Sequence, residues 1–226
     1  MNGSTDPREW IEGEEIRLNL GCGAHAPASW VNIDRSPQIQ LSKHPRLRGM
    51  LRRAGVLHDQ HMGDWPENVI RRDLTKPLPL SNGVASAAYS SHMLEHMFLD
   101  DAKSFLQECA RVMKPGAVMR MALPDAEGFA RELLSANGDP TGEIGLKYNE
   151  MLRAHPESKP SGRRLVAFLG GSNWHRWQPT RGLVKRLLRE AGFTDVEERT
   201  FRDGDLPELE VVELREDSWF VEAVRG

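Results

Sequence analysis

Ile16-Arg17-Leu18-Asn19-Leu20-Gly21-Cys22-Gly23 is a short alternating apolar run that halts on a pair of glycines. Alternation places every second side chain on one face, as a strand against a core requires. Glycine has no Cβ, so it tolerates tight-turn backbone and lets a ligand approach the main chain. In a doubly wound sheet, the turn after the first strand is where a nucleotide-like cofactor lies. A dinucleotide fingerprint needs a third glycine at the start of the next helix, but the register here continues Ala24-His25-Ala26, where alanine is only a partial substitute. No Gly-Lys-Ser/Thr phosphate loop occurs in the chain.

Working outward, Trp30-Val31-Asn32-Ile33-Asp34 reads as a second strand ending in a carboxylate. Pro27 lies in the short connection before it, so any helix there is short. Residues 69–73 read as a third strand, again ending in an acid, Asp73. Residues 36–66 carry no clean period and hold Pro37, Pro45 and Pro66; they read as an insertion with one short helix around 47–57. Residues 84–90 form a fourth strand. Residues 101–113 carry Ala102, Phe105, Leu106, Cys109, Val112 and Met113 at helical spacing, stopped by Lys114-Pro115-Gly116. A fifth strand over 117–123, a short helix over 129–134, a helix over 181–191 and strands over 196–201 and 218–224 complete the pattern.

Strands alternating with helices predict an α/β fold: a Rossmann-like, doubly wound, mostly parallel seven-stranded sheet with helices on both faces. Its ligand edge lies at the carboxyl ends of the strands. The chain reads as a single domain over 1–226, with a flexible N-terminus over 1–14, the insertion over 36–66 and a lid over 126–179 after strand five.

Composition narrows the function. At 226 residues with 39% apolar side chains, a full core is within reach. Cys22 and Cys109 are the two cysteines, too few for a disulfide scaffold or a cysteine zinc site, and both read as reduced thiols. A net charge of −3 argues against tight nucleic-acid binding. No apolar run reaches bilayer length, and the first ten residues are too polar for a signal peptide; the expected location is the cytoplasm. Over 163–189 the charged residues are all Arg or Lys, whereas 190–226 is acidic. Two solvated faces that neutralise each other explain this, and a basic wall facing an anionic acceptor is the functional alternative.

The motifs LNLGCG (18–23), WVNID (30–34), RRDLTKPLPL (71–80), SSHMLEH (90–96) and LQECARVMKPGAVMRMALPD (106–125) resemble, in order and spacing, the class I S-adenosylmethionine-dependent methyltransferases. The likeness is strongest to the small bacterial type with a methyltransferase domain 11 pattern. HRWQPTRGLVKRLLREAGFTDVE (175–197) matches more loosely. The resemblance implies S-adenosylmethionine as cofactor. It implies that Gly21 and Gly23, with Asn19 and Cys22 in the same loop, lie beneath its methionine half. Asp34 would accept from the ribose hydroxyls, and Asp73 would take the adenine amino group with Leu74 beside the ring. Ser90, Ser91 and His92 would border the sulfonium and its methyl.

His92, Glu95 and His96 stand at spacings that put them on one helical face. Such a group can shape a pocket, act as a base or bind a metal. His96 or His92 is the expected base, and no metal is expected. His25 and His175 are weaker base candidates. The acceptor site is expected from the 92–96 turn and residues 149–177, with His175, Arg163, Trp174 and Tyr148 as contacts. The Trp174/Trp177 pair also reads as a packed aromatic corner. A DPPY-like motif and a Pro-Cys pair are both missing, so the expected acceptor is a small molecule carrying a hydroxyl, a saccharide or specialised metabolite, and neither nucleic acid nor membrane. A homodimer stays open. The competing readings are an NAD-type oxidoreductase and a non-catalytic S-adenosylmethionine-binding partner subunit.

Overall fold

A computed structural model of the protein describes residues 15–36, 38–53, 65–135, 143, 145, 147 and 175–226. Its strands are β1 (Ile16–Leu20), β2 (Val31–Asp34), β3 (Val69–Arg71), β4 (Ala85–Ser91), β5 (Met113–Pro124), β6 (Phe193–Arg199) and β7 (Ser218–Arg225). The described helices are α1 (Gln38–Ser42), α2 (Pro45–Arg53), α3 (Leu99–Val112), α4 (Ala126–Ser135), α5 (Arg181–Glu190) and α6 (Leu209–Val212). The strands form one sheet in the order β3-β2-β1-β4-β5-β7-β6. β1 to β5 pair in parallel, whereas β7 runs antiparallel to both of its neighbours. The chain winds from β1 outward through β2 to β3 and then returns to β4 on the other side of β1. The switch point therefore lies at the carboxyl ends of β1 and β4. The seven-stranded, mostly parallel α/β sheet expected from the sequence is the one found.

Boundaries differ in instructive ways. The third strand stops at Arg71, so Asp73 sits on the turn beyond it. Residues 21–30 contain turns and no helix, as the short connection with Pro27 anticipates. The Lys114-Pro115-Gly116 stop does not separate helix from strand: β5 begins at Met113 directly after α3, and the register with β4 shifts between Ala85 and Ala87 to absorb the irregularity. α2 covers Pro45–Arg53, with α1 before it. No helix among the described residues is long and apolar enough to cross a membrane.

The two faces of the sheet bury different things. On one face Ala102, Phe105, Leu106, Cys109 and Val112 of α3, with Val184, Leu187 and Leu188 of α5, pack on Leu18, Leu20, Ile33, Met119 and Met121. Each large apolar side chain buried here stabilises the fold by about 1.5–3 kcal/mol. The other face carries a smaller cluster of Trp30, Ala87, Tyr89, Ala122, Leu206, Leu209, Val212 and Phe220. At its centre stands Arg120 of β5, fully buried. Its Nε and Nη2 donate to the two carboxylate oxygens of Glu213 at 2.6 and 2.9 Å, and its Nη1 donates to Glu222 at 3.1 Å. The same guanidinium also donates to the carbonyls of Thr200 and Asp203 and lies 5.0 Å from the Phe220 ring centre. Gly204 passes so close that a Cβ there would lie 2.3 Å from Glu222 Oε1. One cation thus ties the segment after β6 onto the sheet. Among the cations of α5, Arg181 pairs with Asp125, Glu127 and Glu198, Lys185 with Glu198, and Arg186 with Glu190.

Candidate active site

The glycine turn is held from β2. The backbone N–H groups of Gly21 and Cys22 both donate to the Ile33 carbonyl, at 2.8 and 3.2 Å. Gly21 and Gly23 have φ of 74° and 58°, in the left-handed region where a side chain is strained. A Cβ on Gly21 would fall 2.4 Å from Met93 Cγ, so the absence of a side chain lets the first turn meet the turn after β4. A Cβ on Gly23 would meet no atom within 4 Å, so the chain is open beside it.

The residues assigned to a cofactor gather on this edge. Asp34 Oδ2 accepts from Gly23 N–H at 3.0 Å and Oδ1 from Ser36 N–H at 2.7 Å, and each oxygen retains a lone pair for a further donor. Asp73 accepts from the Thr75 N–H and hydroxyl. Partial burial pushes its carboxyl up, but those bonds and the nearby Arg35 and Lys76 hold it below the usual carboxylate range. Leu74 is buried beside it. Asn19 serves the loop from behind, its amide donating to Asn32 Oδ1 and the His25 carbonyl. Burial, and then the Asp34 carboxylate, push the Cys22 thiol up to about 12, so it stays neutral and is no nucleophile at ordinary pH. At the end of β4 the Ser90 hydroxyl is buried and has no hydrogen-bond partner among the described residues. An orphaned hydroxyl at the switch point fits a polar ligand there.

Next to Ser91 the chain turns sharply. His92 has φ of 46°, uncommon for a residue with a side chain, and its N–H donates to the Ala122 carbonyl of β5. Only Leu94–His96 forms a short 3₁₀ turn, and α3 starts at Leu99. His92, Glu95 and His96 therefore do not share one helical face, contrary to the expectation from their spacing. Glu95 gathers the histidines instead. Its side chain is fully buried, with Oε1 3.5 Å from His92 Nδ1 and 3.9 Å from His175 Nε2. The His175 ring meets His96 edge-on at 5.0 Å between centres. Burial pushes the Glu95 carboxyl up, but His92 and then His96 more than offset this and hold it below the usual range. The other His92 nitrogen, Nε2, is 2.8 Å from Ser218 Oγ.

The segment carrying His175 docks through its neighbours. Arg176 N–H donates to the Glu95 carbonyl at 2.7 Å, and the Arg176 guanidinium lies 4.3 Å from the Phe98 ring centre. Trp177 packs against the main core. Tyr148, Arg163 and Trp174 lie outside the described residues. His25 sits away from this group, its Nε2 bonded to the Val211 carbonyl. Sequence reasoning missed Ser218: no local pattern places the first residue of β7 beside the end of β4, and only the antiparallel pairing of Ser218 with Pro124 does so.

Residues 18–121 match the family described as a methyltransferase domain. Among curated proteins, the O-methyltransferase resE of Aspergillus sclerotiorum is 26% identical over 211 residues, covering 90% of this chain. The chain spans 63% of the length of that relative. Among solved structures, an S-adenosylmethionine-dependent methyltransferase from Methanosarcina mazei superposes with a TM-score of 0.54 at 13% identity, covering 96% of this chain and 95% of that one. That likeness establishes the fold.

Proposed function

We propose that the chain is a class I S-adenosylmethionine-dependent methyltransferase, a reading supported by the methyltransferase-domain match over 18–121 and the O-methyltransferase relative, and that it methylates a hydroxyl oxygen of a small-molecule acceptor, a saccharide or specialised metabolite, in the cytoplasm. The observation that carries the oxygen reading is the pairing of His92 with the buried Glu95 beside the end of β4. A hydroxyl must shed its proton as its oxygen bonds to carbon, and it needs a base within reach. The O-methyltransferase relative points the same way.

Bound S-adenosylmethionine supplies an electrophilic methyl carbon on a cationic sulfur. Gly21, Cys22 and Gly23, braced by Asn19, shape the loop for its methionine half. Asp34 has lone pairs left that would accept from the ribose hydroxyls, Asp73 and Leu74 would hold the adenine, and Ser90 and Ser91 would line the methyl side. Transfer by in-line displacement demands that nucleophile, carbon and sulfur be aligned. Residues 126–179, with Tyr148, Arg163, Trp174 and His175, would close over the acceptor and exclude water. The proton passes to His92 or His96. With Nδ1–H facing Glu95, His92 keeps Nε2 as proton acceptor, and Ser218 Oγ marks the direction from which a hydroxyl reaches it. The Glu95 carboxylate then stabilises the imidazolium.

Asp34→Ala is expected to weaken S-adenosylmethionine binding by about 1.5–3 kcal/mol, roughly 10- to 150-fold, because charge-assisted hydrogen bonds go unmade. Titration calorimetry measures this directly, and an unchanged Kd would remove Asp34 from the site.

A further inference from the structure

We propose that Glu95, His96 and His175 form a binding site for one divalent first-row transition-metal ion of the manganese-to-zinc series. The inference goes beyond the methyl-transfer reading and does not depend on which acceptor is used. It also departs from the sequence expectation of no metal.

The first observation is convergence. One ligand atom from each of the three residues lies within 4.8 Å of the others. They come from two segments distant in the chain, the turn after β4 and the segment before α5. The second observation is the state of Glu95. Its carboxylate is fully buried, and among the described residues neither oxygen accepts a hydrogen bond of ordinary geometry, the His92 contact at 3.5 Å being a long ion pair. A buried carboxylate is stable only when paired, hydrogen-bonded or coordinating a metal. His92 Nδ1, outside the ligand set, and His175 Nε2, within it, lie 3.5 and 3.9 Å from Glu95 Oε1, beyond the roughly 2.7–2.9 Å of a charge-assisted hydrogen bond. Ligand atoms sharing one metal at bonds of about 2.0–2.1 Å sit about 3–3.4 Å apart, so a small inward rotation of the imidazoles completes the site.

The donor set selects the ion. Two imidazoles and one carboxylate, without sulfur, suit zinc, iron, cobalt or manganese better than calcium or magnesium, which take mostly oxygen, or copper(I), which takes thiolate. Cys109 is buried in the main core and takes no part. Three protein ligands leave coordination positions open, where an acceptor oxygen could be held and polarised. With His96 on the metal, His92 alone is left as the base.

The test uses the full, untagged chain, stripped with EDTA, desalted and titrated with Co²⁺ while visible d–d absorption and bound metal are followed. One Co²⁺ per chain, displaced by Zn²⁺, is expected. His96→Ala and His175→Ala should each weaken Co²⁺ binding by at least about tenfold, while His44→Ala, at the exposed start of α2, leaves it unchanged. Circular dichroism and S-adenosylmethionine titration check that the variants fold. If a histidine variant does not fold, Glu95→Gln, of nearly equal shape, gives the same reading. No stoichiometric uptake of Co²⁺ or Zn²⁺, or equal affinity in wild type and variants, overturns the site. A chain that binds S-adenosylmethionine and no metal loses this site and keeps the methyltransferase reading; a chain that binds metal and no S-adenosylmethionine does the reverse.

Discussion

His92→Ala should lower kcat by about 10²- to 10⁴-fold, the range for a positioned general base, with S-adenosylmethionine affinity nearly unchanged. Three features of the wild-type site set the size of the effect. The left-handed backbone at His92 fixes where its ring projects. Glu95, buried and held ionised, favours the protonated imidazole formed during transfer. Nε2 already accommodates one hydroxyl, that of Ser218, at 2.8 Å. Removing the imidazole leaves the acceptor to lose its proton to water. Single-turnover kinetics with saturating S-adenosylmethionine would separate this from a binding defect. A kcat within a few-fold of wild type would strip His92 of the role.

Arg120→Ala should destabilise the protein by about 3–5 kcal/mol, because it leaves buried carboxylates without their cation. Glu213 and Glu222 would keep only backbone donors from Arg202, Asp205 and Leu206, apart from the Arg199 contact to Glu222 at 3.2 Å. The loss extends to the anchoring of 200–213 over Ala87, Tyr89 and Ala122. Urea unfolding followed by circular dichroism reads the change as a shift in midpoint. Arg120→Met should recover none of the ion pairing and unfold with similar ease, unless Glu213→Gln and Glu222→Gln accompany it. A midpoint unchanged in Arg120→Ala would show that the network contributes nothing net to stability.

These sites differ in how far the chain announces them. The glycine turn and the strands ending near Asp34 and Asp73 were legible because their signals are local: alternation, missing side chains, an acid at a strand end. The helical stripe of α3 was legible for the same reason. Arg120 was not. It lies inside an apolar strand and meets partners 93 and 102 residues away, so the acidic stretch over 190–226 read as solvated when two of its carboxylates are buried. The reversal of β7 was equally hidden, since nothing local tells a strand which neighbour it will pair with. The spacing of His92, Glu95 and His96 promised a shared helical face, yet the backbone takes a left-handed residue and a single 3₁₀ turn. His175 joins them only through tertiary docking, by the Arg176–Glu95 backbone bond and the Arg176–Phe98 contact. Spacing identified the participants, and tertiary packing decided their geometry.

The central claim is methyl transfer from S-adenosylmethionine to an acceptor oxygen. Its most direct test is incubation of the purified chain with S-adenosylmethionine carrying a deuterated methyl group and a panel of hydroxylated saccharides and phenolic metabolites, with products read by mass spectrometry. The account predicts that one acceptor class gains a single labelled methyl, that fragmentation places the label on oxygen, and that Asp34→Ala and His92→Ala both suppress it. A label found on nitrogen or carbon, or no labelled product from a chain that binds S-adenosylmethionine, would contradict it.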